Sequence, residues 1–308
     1  MNGKKVLITG GFGNLGSWII LHLASLNYDI YILTRKEKHR FENIKYKVIE
    51  CDITNLDELK EKLNFDIDFC VHCASFNEFF LPNYPQKALL INTLGTRNIL
   101  EALSEKKLKN FIYFSTFHVY GQNCGVITEE SALNPKNDYA STHLFAEYYV
   151  KQFGFTHHLP YTILRLTNSY GAPTFKDSTK WYLVLNDLVK SAYQKKSIIL
   201  NSNGKAKRDF IWMGDVCSVV EKLLIKGSNN IYNLSSGKAM NILELVSIVK
   251  EVFQERFRQE IELKVNENDR NDYKELQVDN SKLNSYLDIY FSCKMKAEVY
   301  KIIGLLDE

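Results

Sequence analysis

The stretch Val6-Leu7-Ile8-Thr9-Gly10-Gly11-Phe12-Gly13-Asn14-Leu15-Gly16, close to the start of the chain, decides the fold. Its first four residues are apolar and rich in β-branched side chains, which predicts a buried strand. A strand that ends in glycines and opens a helix forms a turn whose free N–H groups bind phosphate. Gly13 lets a pyrophosphate approach the backbone, and Gly16 lets the helix pack closely on the strand. The stretch therefore predicts a dinucleotide-binding turn; a glycine-rich loop without a ligand is the alternative.

Strand and helix patterns alternate through the first half of the chain. Strands are predicted at Val6–Thr9, Asp29–Leu33, Lys47–Glu50, Phe69–His72, Phe111–Ser115 and Tyr161–Arg165. Helices are predicted between them at Ser17–Leu26, Asn55–Leu63, Gln86–Ser104 and Tyr139–Phe153. The alternation predicts an α/β fold with a Rossmann-type, doubly wound parallel sheet.

The regular alternation of strand and helix patterns ends after Tyr170-Gly171-Ala172-Pro173. We expect a dinucleotide-binding domain over residues 1–170 and a smaller, mainly substrate-binding lobe over residues 171–308. Part of 211–237 is expected to return to the first domain. Such a lobe would close over the C-terminal edge of the sheet, where open α/β folds bind ligands.

The composition is that of an ordinary globular protein. The chain has 308 residues, of which 45% are hydrophobic and 24% charged. A net charge of +3 argues against nucleic acid or an anionic membrane as the main partner. No apolar run reaches the length of a membrane span, and the first strand begins too early for a secretory signal, so we expect a cytoplasmic protein. Cys70 and Cys73 lie in one strand and face opposite sides of the sheet, so no metal site is expected.

The residues that follow the strands bear on the cofactor. Thr34-Arg35 stands where an NAD site usually has Asp or Glu for the ribose 2′-hydroxyl, and Arg35 could meet a 2′-phosphate. NADP is therefore slightly favoured over NAD, which stays open if Arg35 stacks on adenine or points to solvent. Asp52-Ile53 is placed to bind the adenine amino group, and Cys73-Ala74-Ser75 lies near the pyrophosphate and the nicotinamide ribose.

Two hydroxyl residues are the candidates for the chemistry. Thr116 ends the strand that begins at Phe111, and Tyr139 stands at the start of a predicted helix. Hydride transfer from a carbinol needs a base for the hydroxyl proton, and a tyrosine can serve if its pKa falls from about 10. Thr116 can orient or relay the same proton. Either residue alone is usually structural, but together behind a dinucleotide turn they favour catalysis.

Further motifs occur in a fixed order along the chain. They are Thr9-Gly10-x-x-Gly13-x-x-Gly16, Asp52-Ile53, Val71-His72-Cys73-Ala74, Asn92-Thr93-Leu94-Gly95-Thr96-Arg97-Asn98, Ser115-Thr116-x-x-Val119-Tyr120-Gly121, Tyr139-x-x-x-His143, Arg165-Leu166-Thr167-Asn168-Ser169-Tyr170-Gly171, Arg208-Asp209-Phe210 with Asp215, and Tyr232-Asn233-Leu234. Over nearly its whole length the chain resembles the extended short-chain dehydrogenase/reductases of the nucleotide-sugar epimerase/dehydratase group.

The resemblance implies roles for the matching residues. The catalytic residues would be Thr116, Tyr139 and His143. The residues at the cofactor would be Gly10, Phe12, Gly13, Asn14, Leu15, Gly16, Thr34, Arg35, Asp52, Ile53, Cys73, Ala74, Ser75, Asn92, Tyr139, His143 and Leu166. The residues at the substrate would be Asn77, Thr116, His118, Asn168, Arg208 and Arg270. Asn168 and the two arginines would hold a nucleotide diphosphate, because the guanidinium fork meets phosphate oxygens bidentately; surface ion pairs are the alternative for the arginines.

The chain departs from the family pattern at two places. His143 stands where the family has a lysine that binds the nicotinamide ribose and lowers the tyrosine pKa. A histidine is mostly neutral at pH 7, so it would help Tyr139 less. Phe117-His118 stands where the 4,6-dehydratases have an Asp-Glu pair, which disfavours dehydration; His118 would bind substrate or be an ordinary loop residue.

These observations predict an NAD(P)-dependent nucleotide-sugar oxidoreductase that oxidises a ring hydroxyl, at C4, to a ketone. General likeness points to the branch that modifies GDP-linked heptoses for capsule polysaccharides, with GDP-D-glycero-D-manno-heptose as substrate and a tightly bound cofactor. A 4-epimerase uses the same residues and is the main alternative; a 4,6-dehydratase and a non-catalytic dinucleotide sensor are two others. The resemblance also implies a homodimer or homotetramer paired through Gln86–Ser104 and Tyr139–Phe153.

Overall fold

The computed structural model describes residues 3–37, 39–77, 81, 83–177 and 179–307. Its strands are β1 Lys5–Thr9, β2 Asp29–Thr34, β3 Tyr46–Glu50, β4 Phe69–His72, β5 Asn110–Thr116, β6 Gly125–Ile127, β7 Tyr161–Leu166, β8 Asn168–Tyr170, β9 Ser197–Ile199, β10 Lys207–Trp212, β11 Asn230–Leu234, β12 Ala239–Asn241, β13 Glu262–Lys264 and β14 Leu276–Val278. Its α-helices are α1 Asn14–Ser25, α2 Leu56–Lys62, α3 Tyr84–Ala88, α4 Thr96–Leu103, α5 Asp138–Thr156, α6 Val184–Lys195, α7 Met213–Lys226, α8 Ile242–Phe257, α9 Ser281–Leu287 and α10 Met295–Asp307.

A seven-stranded parallel sheet in the order β11-β7-β5-β4-β1-β2-β3 forms the centre of the molecule. Its inner strands are almost entirely buried, which is why they read as continuous apolar runs in the sequence. The predicted α/β fold with a Rossmann-type, doubly wound sheet is confirmed.

Alternate residues of each strand enter two separate cores, because successive side chains point to opposite faces of a sheet. Val6 and Ile8 of β1 pack with α1 and α7, whereas Leu7 packs with α2, α4 and α5. Helices therefore cover both faces, and the carboxyl ends of the parallel strands are left at one common edge.

The later part of the chain adds a second packed region beside that edge. Helices α6, α8 and α10 share a core of their own with residues of β8 and β10. A three-stranded sheet, β12-β10-β8, runs between this core and the main sheet. Two later elements, α7 and β11, belong instead to the first region. Helix α7 packs on α1, and β11 pairs with β7 as the last strand of the main sheet.

One predicted helix begins and continues differently in the structure, and the segment after Gly171 contains a turn that precedes its helix. The helix expected at Gln86–Ser104 begins at Tyr84 and contains a π-helical segment, Leu89–Gly95, between α3 and α4. The segment after Gly171 has a short 3₁₀ turn at Thr179–Tyr182 before α6 begins at Val184. Among the residues described, no helix combines the length and apolar character that crossing a bilayer requires.

Candidate active site

A cleft of about 1620 Å³ opens at the carboxyl edge of the main sheet. This is the position at which open α/β sheets bind ligands, because the loops after the strands diverge there. Most of the sequence-predicted site residues line it: Gly10, Phe12, Gly13, Asn14, Leu15, Gly16, Thr34, Arg35, Asp52, Ile53, Cys73, Ala74, Ser75, Asn77, Thr116, His118, Tyr139, His143, Leu166, Asn168 and Arg208. Asn92 and Arg270 are not among its lining residues.

The glycine turn after β1 is shaped by close backbone contacts. Gly10 has φ +67°, and a Cβ there would lie 2.8 Å from the backbone nitrogen of Ala74. A Cβ on Gly16 would collide with the carbonyl oxygen of Gly10, so the third glycine allows the helix to approach the strand. Side chains larger than hydrogen are excluded at both positions.

The N-terminus of α1 faces the cleft without a protein partner. Gly13 is its N-cap and supplies no side-chain oxygen to the first N–H groups. The side-chain amide of Asn14 is buried, and neither its oxygen nor its nitrogen has a hydrogen-bond partner among the described residues. Free backbone donors, the positive end of the helix dipole and an unpartnered amide together fit the pyrophosphate of a dinucleotide.

Thr116 and Tyr139 meet in the middle of the cleft. Tyr139 lies in the first turn of α5, which begins sharply because the side chain of Asn137 accepts a hydrogen bond from Ala140 N at 2.9 Å. Burial raises the pKa of the Tyr139 phenol to about 12, while hydrogen bonds from Thr116 and Ser75 act in the opposite direction. The phenol is thus next to the hydroxyl of Thr116, as expected for a shared proton.

His143 lies one turn further along α5 on the same face of the helix. Its ring centroid is 4.5 Å from that of Tyr139, at an interplanar angle of 64°. The side chain is 3% exposed, and its Nδ1 lies 2.7 Å from the hydroxyl oxygen of Tyr113. Burial, with the nearby His72 and His118, lowers the pKa of His143 to about 3, so the ring is neutral. The Nε2 atom is buried with no partner in the described part of the chain.

Asn92 forms hydrogen bonds to two segments that line the cleft. It lies in the π-helical segment and is 1% exposed. Its Oδ1 accepts from Phe76 N at 2.6 Å, and its Nδ2 donates to Phe76 O at 3.1 Å and to Thr142 Oγ1 at 3.0 Å. The amide therefore ties the loop after β4 to α5, the helix that carries Tyr139.

Asn168, Arg208 and His118 lie at the end of the cleft bordered by β8 and β10. The Nδ2 of Asn168 donates to Asp209 O at 3.0 Å. The Asp209 carboxylate is engaged by Thr167 and Ser236, so it does not pair with the neighbouring Arg208. Burial and the positive charge of Arg208 lower the pKa of His118. An exposed guanidinium, a side-chain amide and a neutral imidazole are thus available to a ligand.

Arg270 lies elsewhere. Its side chain is exposed in the loop between β13 and β14, where it lines a separate shallow depression with Asn201, Asn268 and Tyr273. Asp269 anchors this loop by accepting from Asn203 N at 3.0 Å. The structure does not bring Arg270 together with Arg208, and its role at a diphosphate stays a prediction.

Aromatic side chains cluster beside the glycine turn, and two of them, Phe12 and His39, line the cleft. We call Phe12, His39, Phe41 and Phe175 the aromatic clasp. Phe12 stacks on Phe41 with centroids 5.6 Å apart, and His39 stacks on Phe175 at 4.3 Å. His39 Nδ1 also lies 3.3 Å from Asp177 Oδ1. The clasp joins the glycine turn to the loops that follow β2 and β8.

A buried ion pair links α5 to the main sheet. Arg165 of β7 contacts Glu147 of α5 through Nε at 3.0 Å and Nη2 at 2.8 Å, and both side chains are buried. Ser115, which precedes Thr116 on β5, donates to the same carboxylate at 2.5 Å. Arg165 Nη1 also donates to Tyr120 Oη at 3.0 Å. One carboxylate thereby connects α5, β5 and β7.

Comparison with protein-family models gives a match over residues 6–235 to the family described as "NAD dependent epimerase/dehydratase family". The chain belongs to this family. The matched range covers the glycine turn, Thr116, Tyr139 and the strands of the main sheet, and it ends just after β11.

Curated proteins and solved structures of the family resemble the chain over most of its length. A Methanocaldococcus jannaschii protein named "Putative UDP-glucose 4-epimerase" is 31% identical over 251 residues, which are 80% of this chain and 81% of that protein. The dTDP-D-glucose 4,6-dehydratase of Dictyostelium discoideum is 28% identical over 281 residues, covering 79% of this chain and 60% of that protein. The UDP-glucuronic acid 4-epimerase of Bacillus cereus, solved with UDP-glucuronic acid and NAD, has a TM-score of 0.82 at 23% identity, covering 98% and 99% of the two chains. The likeness to that structure shows the fold.

Sequence reasoning missed several cleft residues of this family member. Lys180 and Tyr182 line the cleft, and Lys180 Nζ and Tyr182 Oη lie 3.0 and 2.9 Å from Asn77 Oδ1. Lys36 lines the opposite end beside Arg35. Lys180 and Tyr182 lie in an irregular stretch without a motif, so no pattern in the sequence was a reason to select them. Lys36 directly follows Arg35, and this pair of positive charges could have indicated that both residues line the cofactor end of the cleft.

Proposed function

We propose that this protein is an NAD(P)-dependent nucleotide-sugar oxidoreductase that oxidises a ring hydroxyl, at C4, to a ketone. The observation that supports the proposal is the position of the Tyr139 phenol in the cleft that begins at the glycine turn, close enough to Thr116 and Ser75 for their hydroxyls to lower its pKa against the effect of burial. A base beside a hydroxyl donor is the arrangement that removes a carbinol proton. Family membership supports the same class of chemistry.

In the proposed mechanism Tyr139 takes the proton of the sugar hydroxyl while Thr116 orients that hydroxyl. The nicotinamide, when bound, supplies the hydride acceptor. His143 lines the cleft and its Nε2 atom has no partner among the described residues, which suits a hydrogen bond to a ribose hydroxyl. Because His143 is neutral, it would act on Tyr139 through hydrogen bonding and not through a fixed charge.

We propose that Asn168 and Arg208 bind the diphosphate of the substrate. The charge of Arg208 is exposed at the end of the cleft, and the neighbouring Asp209 is already engaged. The proposed sugar nucleotide is GDP-D-glycero-D-manno-heptose, for a step in capsule polysaccharide synthesis. The general likeness of the sequence to that branch supports this choice.

For the cofactor we propose a preference for NADP that rests on Arg35 and Lys36. Both cations line the cleft after β2, where NAD sites usually have a carboxylate. The nearest acid along the chain, Glu37, is engaged at the surface with Tyr46, its Oε1 lying 3.2 Å from the phenol oxygen. The aromatic clasp over the glycine turn supports the further proposal that the cofactor is held tightly.

A 4-epimerase is the second candidate, because the 31% identical relative carries that name. The same residues would serve, and the hydride would return to the sugar after the ketone rotates. A 4,6-dehydratase is less favoured, since residues 117 and 118 are Phe and His and supply no carboxylate pair. A non-catalytic sensor would have no need for the Thr116 hydroxyl beside the Tyr139 phenol.

We also propose a homodimer or homotetramer that pairs through α5 and the neighbouring helices. Leu90 and Leu94 of the π-helical segment are exposed, as are Phe145 and Tyr148 of α5. Such large apolar side chains on adjacent helices suit a partner surface. Sedimentation of the purified protein, with Phe145→Ser as the variant, tests the pairing: a monomeric wild-type protein contradicts it.

The test of the proposed function begins with the small molecule released when the purified protein is denatured. Its mass distinguishes NAD from NADP, and its ultraviolet spectrum shows whether the nicotinamide is oxidised or reduced. The protein is then incubated with GDP-D-glycero-D-manno-heptose and a hydride acceptor that recycles the cofactor, and the product is examined by NMR. A 4-keto sugar supports the oxidoreductase, an inverted sugar supports the epimerase, and an unchanged sugar without cofactor reduction contradicts this substrate. Tyr139→Phe should abolish turnover, whereas Tyr148→Phe on an exposed turn of α5 should not.

A further inference from the structure

Tyr113 lies in the interior of β5 and belongs to no motif of the sequence. It is 1% exposed and does not line the cleft. Its hydroxyl nevertheless lies 2.7 Å from Nδ1 of His143, a residue that lines the cleft and whose other ring nitrogen has no partner among the described residues. A buried phenol thus touches the far side of the imidazole that is next to Tyr139.

The protons around Tyr113 are constrained by its neighbours. Thr96 Oγ1 lies 2.6 Å from the carbonyl oxygen of Asn92, which can only accept, so the single hydroxyl proton of Thr96 is used there. His72 Nε2, at 2.9 Å, therefore donates to Thr96, and His72 Nδ1 accepts from Thr9 at 2.6 Å. Thr96 is thus satisfied by Asn92 and His72, and among the described residues His143 Nδ1 is the only hydrogen-bond partner of the Tyr113 hydroxyl.

We propose that Tyr113 donates its proton to Nδ1 of His143 and thereby fixes the neutral imidazole as the Nε2–H tautomer. Tyr113 is then a positioning residue that acts through His143. The assignment rests on hydrogen-bond satisfaction in the core: if His143 Nδ1 donated instead, the buried hydroxyl proton of Tyr113 would have no acceptor among the described residues.

The tautomer decides what His143 can do in the cleft. An Nε2–H group donates to a ribose hydroxyl oxygen, so the proton of that hydroxyl is free to point at the Tyr139 phenolate. The opposite tautomer would accept that proton and turn it away from Tyr139. This consequence rests on the proposed function, whereas the tautomer itself is a property of the protein alone.

Nitrogen-15 NMR of the histidine rings tests the tautomer without any substrate. The His143 signals are assigned by their loss in His143→Asn. We expect the wild-type protein to show the Nε2–H form, and Tyr113→Phe to shift His143 toward the Nδ1–H form or a mixture. Tyr31→Phe is the matched control, because Tyr31 packs in the same core and its hydroxyl contacts only Lys47 among the described residues. A wild-type Nδ1–H form overturns the proposal even if the Tyr113 variant does not fold.

Steady-state kinetics then test whether the tautomer of His143 affects proton removal by Tyr139. Tyr113→Phe should lower kcat about tenfold, which corresponds to one hydrogen bond, and leave the KM for the sugar nucleotide near that of the wild type. The midpoint of its pH–rate profile should move to higher pH, and Tyr31→Phe should change neither quantity. If the wild type proves inactive but has the Nε2–H form that depends on Tyr113, only the proposed function fails. If it is active and Tyr113→Phe leaves tautomer and profile unchanged, this inference fails.

Discussion

The imidazole of His143 meets the ring of Tyr139 edge to face, with centroids 4.5 Å apart and an interplanar angle of 64°. The two residues are four apart in α5, so the helix places them on one face. Burial raises the pKa of Tyr139 to about 12 and lowers that of His143 to about 3. The phenol therefore has a neutral neighbour throughout the physiological pH range.

The pH dependence of sugar oxidation should follow from this pair. Because the base form of Tyr139 is required and its pKa is high, the rate should rise with pH through the alkaline range. His143 should add no inflection between pH 5 and 8. His143→Lys places a cation beside the phenol and should move the midpoint to lower pH by about one unit. Below the midpoint this shift appears as an about tenfold higher rate at a given pH, which stopped assays from pH 6 to 10 measure, with His157→Lys at the exposed end of α5 as the control. An unchanged midpoint would mean that the residue at position 143 does not influence Tyr139.

The preference between the two dinucleotides should depend on Arg35. Removing this guanidinium in Arg35→Ser should weaken NADP binding by about ten- to a hundredfold, the size of one charge-assisted contact, and change NAD binding by only about threefold. Fluorescence titration of the cofactor-free protein measures both affinities. Arg40→Ser is the control, because Arg40 is exposed and does not line the cleft. Equal losses for the two dinucleotides would argue against a 2′-phosphate site here.

The aromatic clasp should slow the release of the cofactor. Phe175→Ala removes the ring that stacks on His39 at 4.3 Å and approaches Phe12 at 6.4 Å. We expect the dinucleotide to leave about ten times faster, since roughly 0.5–1.5 kcal/mol is lost for each aromatic contact. Retention after gel filtration and the off-rate by competition measure the effect. Phe155→Ala, on an 84% exposed side chain, should leave the off-rate unchanged. A clasp variant that retains cofactor like the wild type would refute this role.

Stability should decrease below pH 6.5 because two histidines are buried neutral. In the unfolded chain these side chains take up a proton near pH 6.5, whereas burial lowers the pKa of both His72 and His143 to about 3 in the folded protein. Between these values the unfolded state holds more protons, so each histidine lowers the free energy of unfolding by about 1.4 kcal/mol for each pH unit of acidification.

Urea unfolding between pH 7 and pH 4 measures this slope. His72→Asn should reduce it by about 1.4 kcal/mol per pH unit, the share of one histidine. His157→Asn, at an exposed site, should leave the slope as in the wild type. If His72→Asn has the wild-type slope, His72 does not stay neutral in the folded protein.

The main sheet could be predicted because its strands are short apolar runs between helical segments. The glycine turn, Thr116 and Tyr139 could also be predicted, since each belongs to a motif that lies within a few residues. The structure brings them into one cleft because parallel strands end at the same edge.

The contacts that could not be predicted join distant parts of the chain. Nothing in the run Phe111–Ser115 distinguishes the tyrosine that bonds His143 from its apolar neighbours. Phe175 reaches Phe12 and Phe41 only after the chain has passed through the whole first half of the fold. The family resemblance implied a place for Arg270 at the diphosphate, whereas its loop lies at the surface, where Asp269 accepts a hydrogen bond from Asn203 N.

The carboxylate of Glu147 is shared by Arg165 and Ser115, which stand on neighbouring strands. A sideways slip of α5 would leave two opposite charges apart in the interior, at a cost of roughly 3–5 kcal/mol. The contacts of Glu147 therefore fix the position of α5, which carries Tyr139 and His143, on the main sheet. Its alignment with Thr116 exists before any sugar arrives, so a turnover need not spend binding energy on assembling the reacting groups.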